Sequence, residues 1–379
     1  MPSCSSGLLD YLADIPDPRI ERCRAHHLID ILMIAVCGAI CGADNWVAIA
    51  EFGRAKADWL KTFLALPNGI PSHDTFGRVF AHLCPWHFQD CFTAWVQSLT
   101  PRLADQGELV PLDGKTRRRS YDSGSGQAAI HMVHAWAVNN RLVLGQFHCE
   151  EALEEIAIIP ELLRVLDLNG CLVTTDALGC HTSTAEQVVE QGADYVLAVK
   201  ENQSKLHAHL QQLFDRSDEQ LHADPTVDYW ATQDQNHGRC ETRRYWTTDQ
   251  IEDFTDHARW PGLRLFGMVE ATRHDGDRVS VQRRYYISTL DNDAQRLGQA
   301  VRGHWAIENS LHWGLDVVFN EDQSRIRRGH GPENMAVIRH IALNLLQQDK
   351  TTKAGIQTKR LKAGWDNKYL ANLLAHAHL

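Results

Sequence analysis

The sequence predicts an α/β protein with an all-α N-terminal domain and a β-rich insertion, and three patterns lead to that reading. Apolar residues recur at spacings of three and four from Leu8 to about Leu103, short β-type runs separated by turns begin after Gln106-Gly107, and helical periodicity returns beyond Asp291. Strands alternating with helices in the second stretch imply a sheet buried on both faces.

The elements follow in order. LIDILMIAVCGAI, WVAIAEFGRAKADWLKTFLAL and DTFGRVFAHL carry helical spacing. Pro71-Ser72 ahead of His73-Asp74-Thr75-Phe76 marks a helix start, and Pro67-Asn68-Gly69 a turn before it. ELVPLDG, HMVHAWAV and RLVLGQFHC read as strands, the last two joined by a turn at Asn139-Asn140. A helix over about Ile159 to Leu166, the apolar strand CLVTTDA, the helix STAEQVVEQ and the strand DYVLAVK come next. From Gln203 to about Thr289 a polar helix precedes CETRRYWTT, LRLFGMVEAT and VSVQRRYYIST, which are antiparallel in character and read as an insertion. AQRLGQAVRGHWAIENSLHWGLDVV and ENMAVIRHIALNLLQQD are helical again, with Gly331-Pro332 leading into the second. These shifts divide the chain at 1–104, 105–202, 203–290, 291–349 and 350–379, the last being a basic tail that ends in a short apolar helix.

Composition narrows the class. With 379 residues, 44% hydrophobic and 23% charged, the chain holds enough apolar surface for sizeable cores, which excludes a disordered chain or a small disulfide scaffold. Its ten cysteines are scattered without a Cys-x-x-Cys pair, the usage of reduced thiols in a cytoplasmic protein. The first residues carry no secretion pattern, and the longest apolar run, Ile31 to Cys41, is too short to cross about 30 Å of hydrocarbon. That run is expected to be a buried helix, with no membrane partner. A net charge of -10 opposes polyanions globally, so nucleic-acid binding would require local basic patches.

Candidate chemistry rests on carboxylates. Asp113 in VPLDGKT and Asp176 in VTTDALGC stand at the ends of predicted strands, where side chains of an open α/β sheet share a crevice. Glu308 in HWAIENSLHW is the best third member, in a helix dense in His, Trp and Asn. Carboxylate oxygens suit Mg²⁺, and two such ions about 3.5–4 Å apart assist phosphodiester displacement. Each residue also has a plainer reading: Asp near Gly at a strand end is a turn residue, and Glu308 a solvated helix position. His304, Glu308 and His312 share one face of a helix, which raises zinc as a rival, although three such ligands along a straight helix do not converge on one ion.

The runs PLDGKTRRRSYD, LDLNGCLVTTDALGCH, DYVLAVKENQ and HWAIENSLHWGLDVVFNEDQSRIRRG, with IPSHDTFGRVF ahead of them, resemble in the same order blocks of the DDE-type insertion-sequence transposases of the ISAs or H-repeat-associated group. The resemblance spans nearly the whole chain. It implies a ribonuclease-H-like core interrupted by a β-rich insertion, with Asp113, Asp176 and Glu308 as the catalytic and metal-binding triad. It further implies Mg²⁺ as cofactor, as two ions that Mn²⁺ can replace, and cleavage and transfer of DNA strands at terminal inverted repeats into target DNA. A homodimer or higher multimer on DNA, acting in the cytoplasm at the nucleoid, goes with that activity. The alternative is a catalytically silent protein that binds element ends or regulates expression. Many cut-and-paste relatives carry Tyr, Arg and Lys where Val301, His304 and Leu315 stand here, so details of end processing need not transfer.

DNA contacts are expected from Lys115, Arg117, Arg118 and Arg119 beside the first aspartate, from Lys200 and Asn202 after DYVLAVK, and from Arg325, Arg327 and Arg328 ahead of the last long helix. A charge run also reads as an ordinary solvated surface. His304 and Trp305 belong to the His-Trp-x-x-Glu-Asn form and are assigned to DNA with these residues. Trp305 offers a face for an unpaired base, whereas Trp313 is expected in the core.

Overall fold

The computed structural model describes residues 7–99, 107–116, 131–149, 155–236, 239–275 and 278–375. Arg117, Arg118 and Arg119 lie outside the described residues.

The N-terminal region is helical: α1 (Leu8–Ala13), α2 (Leu28–Ile40), α3 (Trp46–Ala55), α4 (Ala57–Leu60), α5 (His73–His82) and α6 (Pro85–Leu99). The apolar run read as a buried helix is α2, in which every residue from Asp30 to Ile40 is buried. The Asp30 carboxylate is satisfied there by the backbone N–H of Leu66 at 3.0 Å. The start expected at Ser72 is also present, with its hydroxyl accepting from the Thr75 backbone N–H.

One nine-stranded sheet follows. Its strands are β1 (Leu109–Thr116), β2 (His131–Ala137), β3 (Leu142–Cys149), β4 (Leu172–Thr175), β5 (Asp194–Val199), β6 (Val227–Asn236), β7 (Arg239–Thr248), β8 (Leu265–Asp275) and β9 (Arg278–Ser288). They are ordered β3-β2-β1-β4-β5-β9-β8-β7-β6. Strand β1 pairs antiparallel with β2 and parallel with β4, and β5 runs parallel to β4. The β2–β3 turn contains Asn139-Asn140 as expected, and its backbone is tied down by the buried Glu108 carboxylate, which accepts from the Asn139 N–H at 2.7 Å. Between strands run α7 (Glu155–Arg164), α8 (Thr182–Glu190), α9 (Ser204–Phe214) and α10 (Asp218–Ala223).

The β-rich block does not form a sheet of its own. Its strand β9 pairs with β5, from Val196 opposite Ser288 to Val199 opposite Tyr285, so the block extends the sheet that carries β1 and β4. Strand β6 has no counterpart among the strand-like runs of the sequence. Its polar residues hide the alternation, and its pairing along the whole of β7 supplies the hydrogen bonds instead.

The helix predicted over AQRLGQAVRGHWAIENSLHWGLDVV is also more complex. Helix α11 (Ala294–His304) ends at Trp305, and the chain continues through two π-wound stretches, Ile307–His312 and Gly314–Val318. Wider winding rotates successive side chains away from α-helical positions, and Trp313, expected in the core, is 57% exposed.

Helix α12 (Gly331–Gln348) is buried along most of its length, and its Asn344 amide exchanges two hydrogen bonds with the backbone of Val143 on edge strand β3. The tail folds as α13 (Ile356–Trp365) and α14 (Asn367–Ala375), and the buried Arg360 guanidinium joins it to the Ala39 carbonyl and the Asp44 carboxylate. One apolar cluster accordingly runs from α1 through the sheet to α14, and a second packs α11 against the sheet through Leu297 and Tyr245. No helix among the described residues is long and apolar enough to cross a membrane.

Candidate active site at the carboxyl ends of β1 and β4

The parallel register pairs Leu112 of β1 with Thr175 of β4. Asp113 lies inside β1, where it pairs with His134 of β2, and not at the strand end expected from the sequence; Asp176 falls just past β4, so the two occupy matching positions on neighbours about 4.8 Å apart. Both are half-buried. Asp176 is a turn residue as well as a site residue: its Oδ1 accepts from the backbone N–H groups of Leu178 at 2.9 Å and Gly179 at 3.3 Å. Asn202 holds this turn by donating to the Ala177 carbonyl at 2.7 Å. Gly179 is required by close approach, since a Cβ there would fall 2.6 Å from the Thr175 Cβ.

The segment bearing Glu308 passes over both strands beside these residues. Four residues before the glutamate, His304 Nδ1 lies 2.9 Å from Thr174 Oγ1 on β4, and four residues after it, His312 Nδ1 lies 3.6 Å from Asp113 Oδ2 on β1. The structure therefore brings Asp113 and Asp176 side by side and suspends Glu308 between two anchors, one on each strand. Glu308 itself is exposed, and among the described residues no group of three or more His, Cys, Asp or Glu is close enough to hold a metal ion. The zinc rival loses its basis here, because His304 and His312 turn to different strands.

Burial sets the charge state around the aspartates. It pushes the His304 pKa down against the opposing charge of Asp176. It pushes His312 down to about 4, helped by the Lys115 charge, and holds His134 well below the usual histidine range. The close approach of His312 to Asp113 is thus a contact with neutral imidazole at pH 7 rather than an ion pair. Two half-buried carboxylates thus stand among imidazoles that burial keeps neutral and the Thr174 hydroxyl.

The predicted DNA-contacting residues separate. Lys115 does not reach outward: it is 9% exposed, and its ammonium is bound by Asp316 at 2.6 Å and Glu321 at 2.8 Å. Burial of an unpaired ammonium would be costly, so the acidic ring claims it. Lys200 is exposed at the end of β5, on the same side of the sheet as the aspartates, and Asn202 serves the Asp176 turn. Trp305 is 40% exposed, with the Arg284 guanidinium 5.3 Å from its ring centroid. Arg325, half-buried Arg327 and Arg328 lie instead on a loop facing α3 and α5. Sequence reasoning missed Arg284 and Thr174. Period-two alternation in VSVQRRYYIST puts Arg284 and Tyr286 on one face, but the partner of that face is set by the distant Trp305.

The chain is similar to known proteins along nearly its whole length. The Transposase DDE domain family matches residues 103–345, and the DDE_Tnp_1-associated family matches residues 9–96. The chain is 39% identical to the H repeat-associated putative transposase YhhI of Escherichia coli K12 over 98% of both chains. It is 41% identical to the putative transposase YncI of Escherichia coli O157:H7 over 97% of this chain and 94% of that one. A cryo-EM structure of the piggyBac transposase synaptic complex with hairpin DNA aligns with 96% of this chain and 74% of its own, at 12% identity and a TM-score of 0.39. The chain belongs to the DDE transposase family, alongside H repeat-associated relatives.

Proposed function

We propose that this transposase catalyses divalent-metal-dependent cleavage and transfer of DNA strands at the inverted-repeat ends of an insertion sequence, on a ribonuclease-H-like core. The observation that carries the proposal is the β1–β4 register, which sets Asp113 and Asp176 at one level beneath the segment bearing Glu308.

Asp113 and Asp176 would hold Mg²⁺, with Mn²⁺ as a substitute, and Glu308 would complete the set by turning in from its exposed position. When bound, a pair of such ions supplies activation of the attacking oxygen and stabilisation of the leaving one. The remaining parts belong to the chain. The His304–Thr174 and His312–Asp113 contacts steady the glutamate-bearing segment, and the Asn202–Ala177 bond keeps the Asp176 turn from drifting. Histidines kept neutral by burial add no positive charge beside the carboxylates, and Lys200 and Trp305 at the rim would offer a phosphate contact and a stacking face for DNA. In the chemistry proposed, water adds to phosphorus as the bond to the 3′ oxygen breaks and that oxygen takes a proton; the freed 3′-hydroxyl later attacks a target phosphorus, and the target strand's 3′ oxygen leaves with the proton. The protein would act as a multimer, in the cytoplasm at the nucleoid.

The test is a nicking assay on duplex carrying the element ends, with Mg²⁺ or Mn²⁺ added. Asp113→Ala, Asp176→Ala and Glu308→Gln are each expected to lower the cleavage rate by at least about 100-fold, the scale on which removing transition-state electrostatics is felt. Cleavage at the wild-type rate by Asp113→Ala would sink the assignment. Binding to the ends without any metal-dependent product would favour the silent, end-binding alternative.

A further inference from the structure

A second concave surface lies away from the aspartates. The amino-terminal ends of α3 and α5 face the loop from Gln323 to Gly329 across an open groove of about 1380 Å³. Arg78 of α5 lines one side, and Arg325, Arg327 and Arg328 line the other. Arg78, Arg325 and Arg328 are exposed and have no carboxylate partner among the described residues. In a chain with 48 acidic and 38 basic residues, such an accumulation of uncompensated arginine requires a reason.

The acidic residues of the lining do not cancel it. Asp44 is neutralised from the protein side by Arg360 at 2.7 Å and also accepts from the Asn320 amide at 3.0 Å, which leaves Asp74 as the exposed carboxylate of the lining. The arginines are also held in place. Gly329 adopts φ +50° with its Cα packed against the Ala81 carbonyl, His330 donates its backbone N–H to that same carbonyl at 3.1 Å, and Ile326 is buried. Guanidinium groups presented on an ordered loop bind phosphate oxygens with forked hydrogen bonds at low entropic cost.

We propose that this groove binds the sugar-phosphate backbone of duplex DNA, as a positioning surface separate from the site of strand cleavage. The same loop segment joins the two regions: Glu321 turns inward to Lys115, two residues beyond Asp113 in β1, while Arg325 and Arg328 turn outward to the groove. This inference relies on the function proposed above only for the identity of the polyanion.

The experiment measures fluorescence anisotropy of a labelled duplex carrying the element ends, titrated with the full chain over a series of KCl concentrations. An Arg78→Gln/Arg325→Gln/Arg328→Gln variant is expected to bind at least about tenfold more weakly near 0.1 M salt. Its plot of log K against log salt should be shallower by about two to three, one for each lost phosphate contact. Because the three side chains are exposed, the thermal midpoint should stay close to wild type. Should the triple variant fail to fold, Arg325→Gln alone must reduce the slope by about one. An unchanged slope and affinity would overturn the proposal, as would a variant that keeps DNA binding and loses only self-association in light scattering. Asp113→Asn in the same assays separates the two readings. If it binds normally but makes no product while the arginine variant binds like wild type, the groove fails and the cleavage assignment stands. If the wild type cleaves nothing yet loses binding through the arginines, the groove stands and the cleavage assignment fails. No binding by the wild type removes both.

Discussion

The Lys115 ammonium lies 2.8 Å from the Glu321 carboxylate, across 206 residues of chain and in a buried contact. Asp316 binds the same ammonium at 2.6 Å, and Arg339 approaches the other Glu321 oxygen at 3.6 Å. Burial raises the pKa of Asp316, and the Lys115 hydrogen bond and charge oppose that rise. This cluster fastens β1, two residues past Asp113, to the segment that follows Glu308, and so fixes one strand of the candidate site against the element above it.

Lys115→Met is therefore expected to destabilise the protein by about 3 kcal/mol or more, because it leaves buried carboxylates without their cation. Urea denaturation at pH 7 measures this. A midpoint equal to wild type would mean that the acidic residues are satisfied without Lys115.

Gly329→Ala tests the loop that carries the arginines. The residue sits at φ +50°, and an added Cβ would lie 2.4 Å from the Ala81 carbonyl oxygen, so backbone must move. A cost above about 1 kcal/mol is expected from the left-handed conformation alone. Gly355→Ala, at a residue with no atom within 4 Å of the added Cβ, serves as the control and should stay within about 0.5 kcal/mol of wild type. Equal thermal midpoints for the two variants would contradict the close approach.

The docked tail predicts an acid-sensitive contribution to stability. Burial alone would raise the Asp349 pKa, but hydrogen bonds from Thr351 and Tyr369 and the charge of Lys359 outweigh it and hold the carboxyl at about 2. A carboxyl held below its unfolded value stabilises the fold above that value and loses the contribution as pH falls from about 4 to about 2. Asp349→Asn should thus be about 2 kcal/mol less stable than wild type at pH 7, with the gap closing below pH 4. Urea midpoints of both proteins between pH 2 and 7 decide it, and a gap that does not change with pH would show that the charge is immaterial.

The two kinds of tryptophan should separate cleanly. Trp136, 1% exposed in β2, is expected to cost about 3–5 kcal/mol on replacement by Ala. Trp313→Ala, at 57% exposure, should change stability by less than about 1 kcal/mol. Calorimetry of the two variants gives the comparison, and similar losses would return Trp313 to the core.

By itself the sequence determined what depends on neighbours in the chain. The buried helix around Ile31 to Ile40 follows from continuous apolarity, the start of α5 from a serine able to cap it, and strands β1 and β4 from short apolar runs. Asp176 was legible for the same reason, just past a strand, whereas Asp113 lies inside β1 because pairing with β2 carries that strand on to Thr116. Tertiary structure alone decided which charges face solvent and how the Glu308 segment winds. Lys115 stands beside Arg117, Arg118 and Arg119 in the chain, but its charge is consumed by acids about 200 positions away, and no local pattern encodes that pairing. Trp313, expected in the core, is exposed where the chain passes between two π-wound stretches, a departure from the α-helical period that no local pattern shows. Strand β6 likewise lacks apolar alternation and owes its form to pairing with β7, because backbone hydrogen bonds across a sheet are made between segments rather than within one.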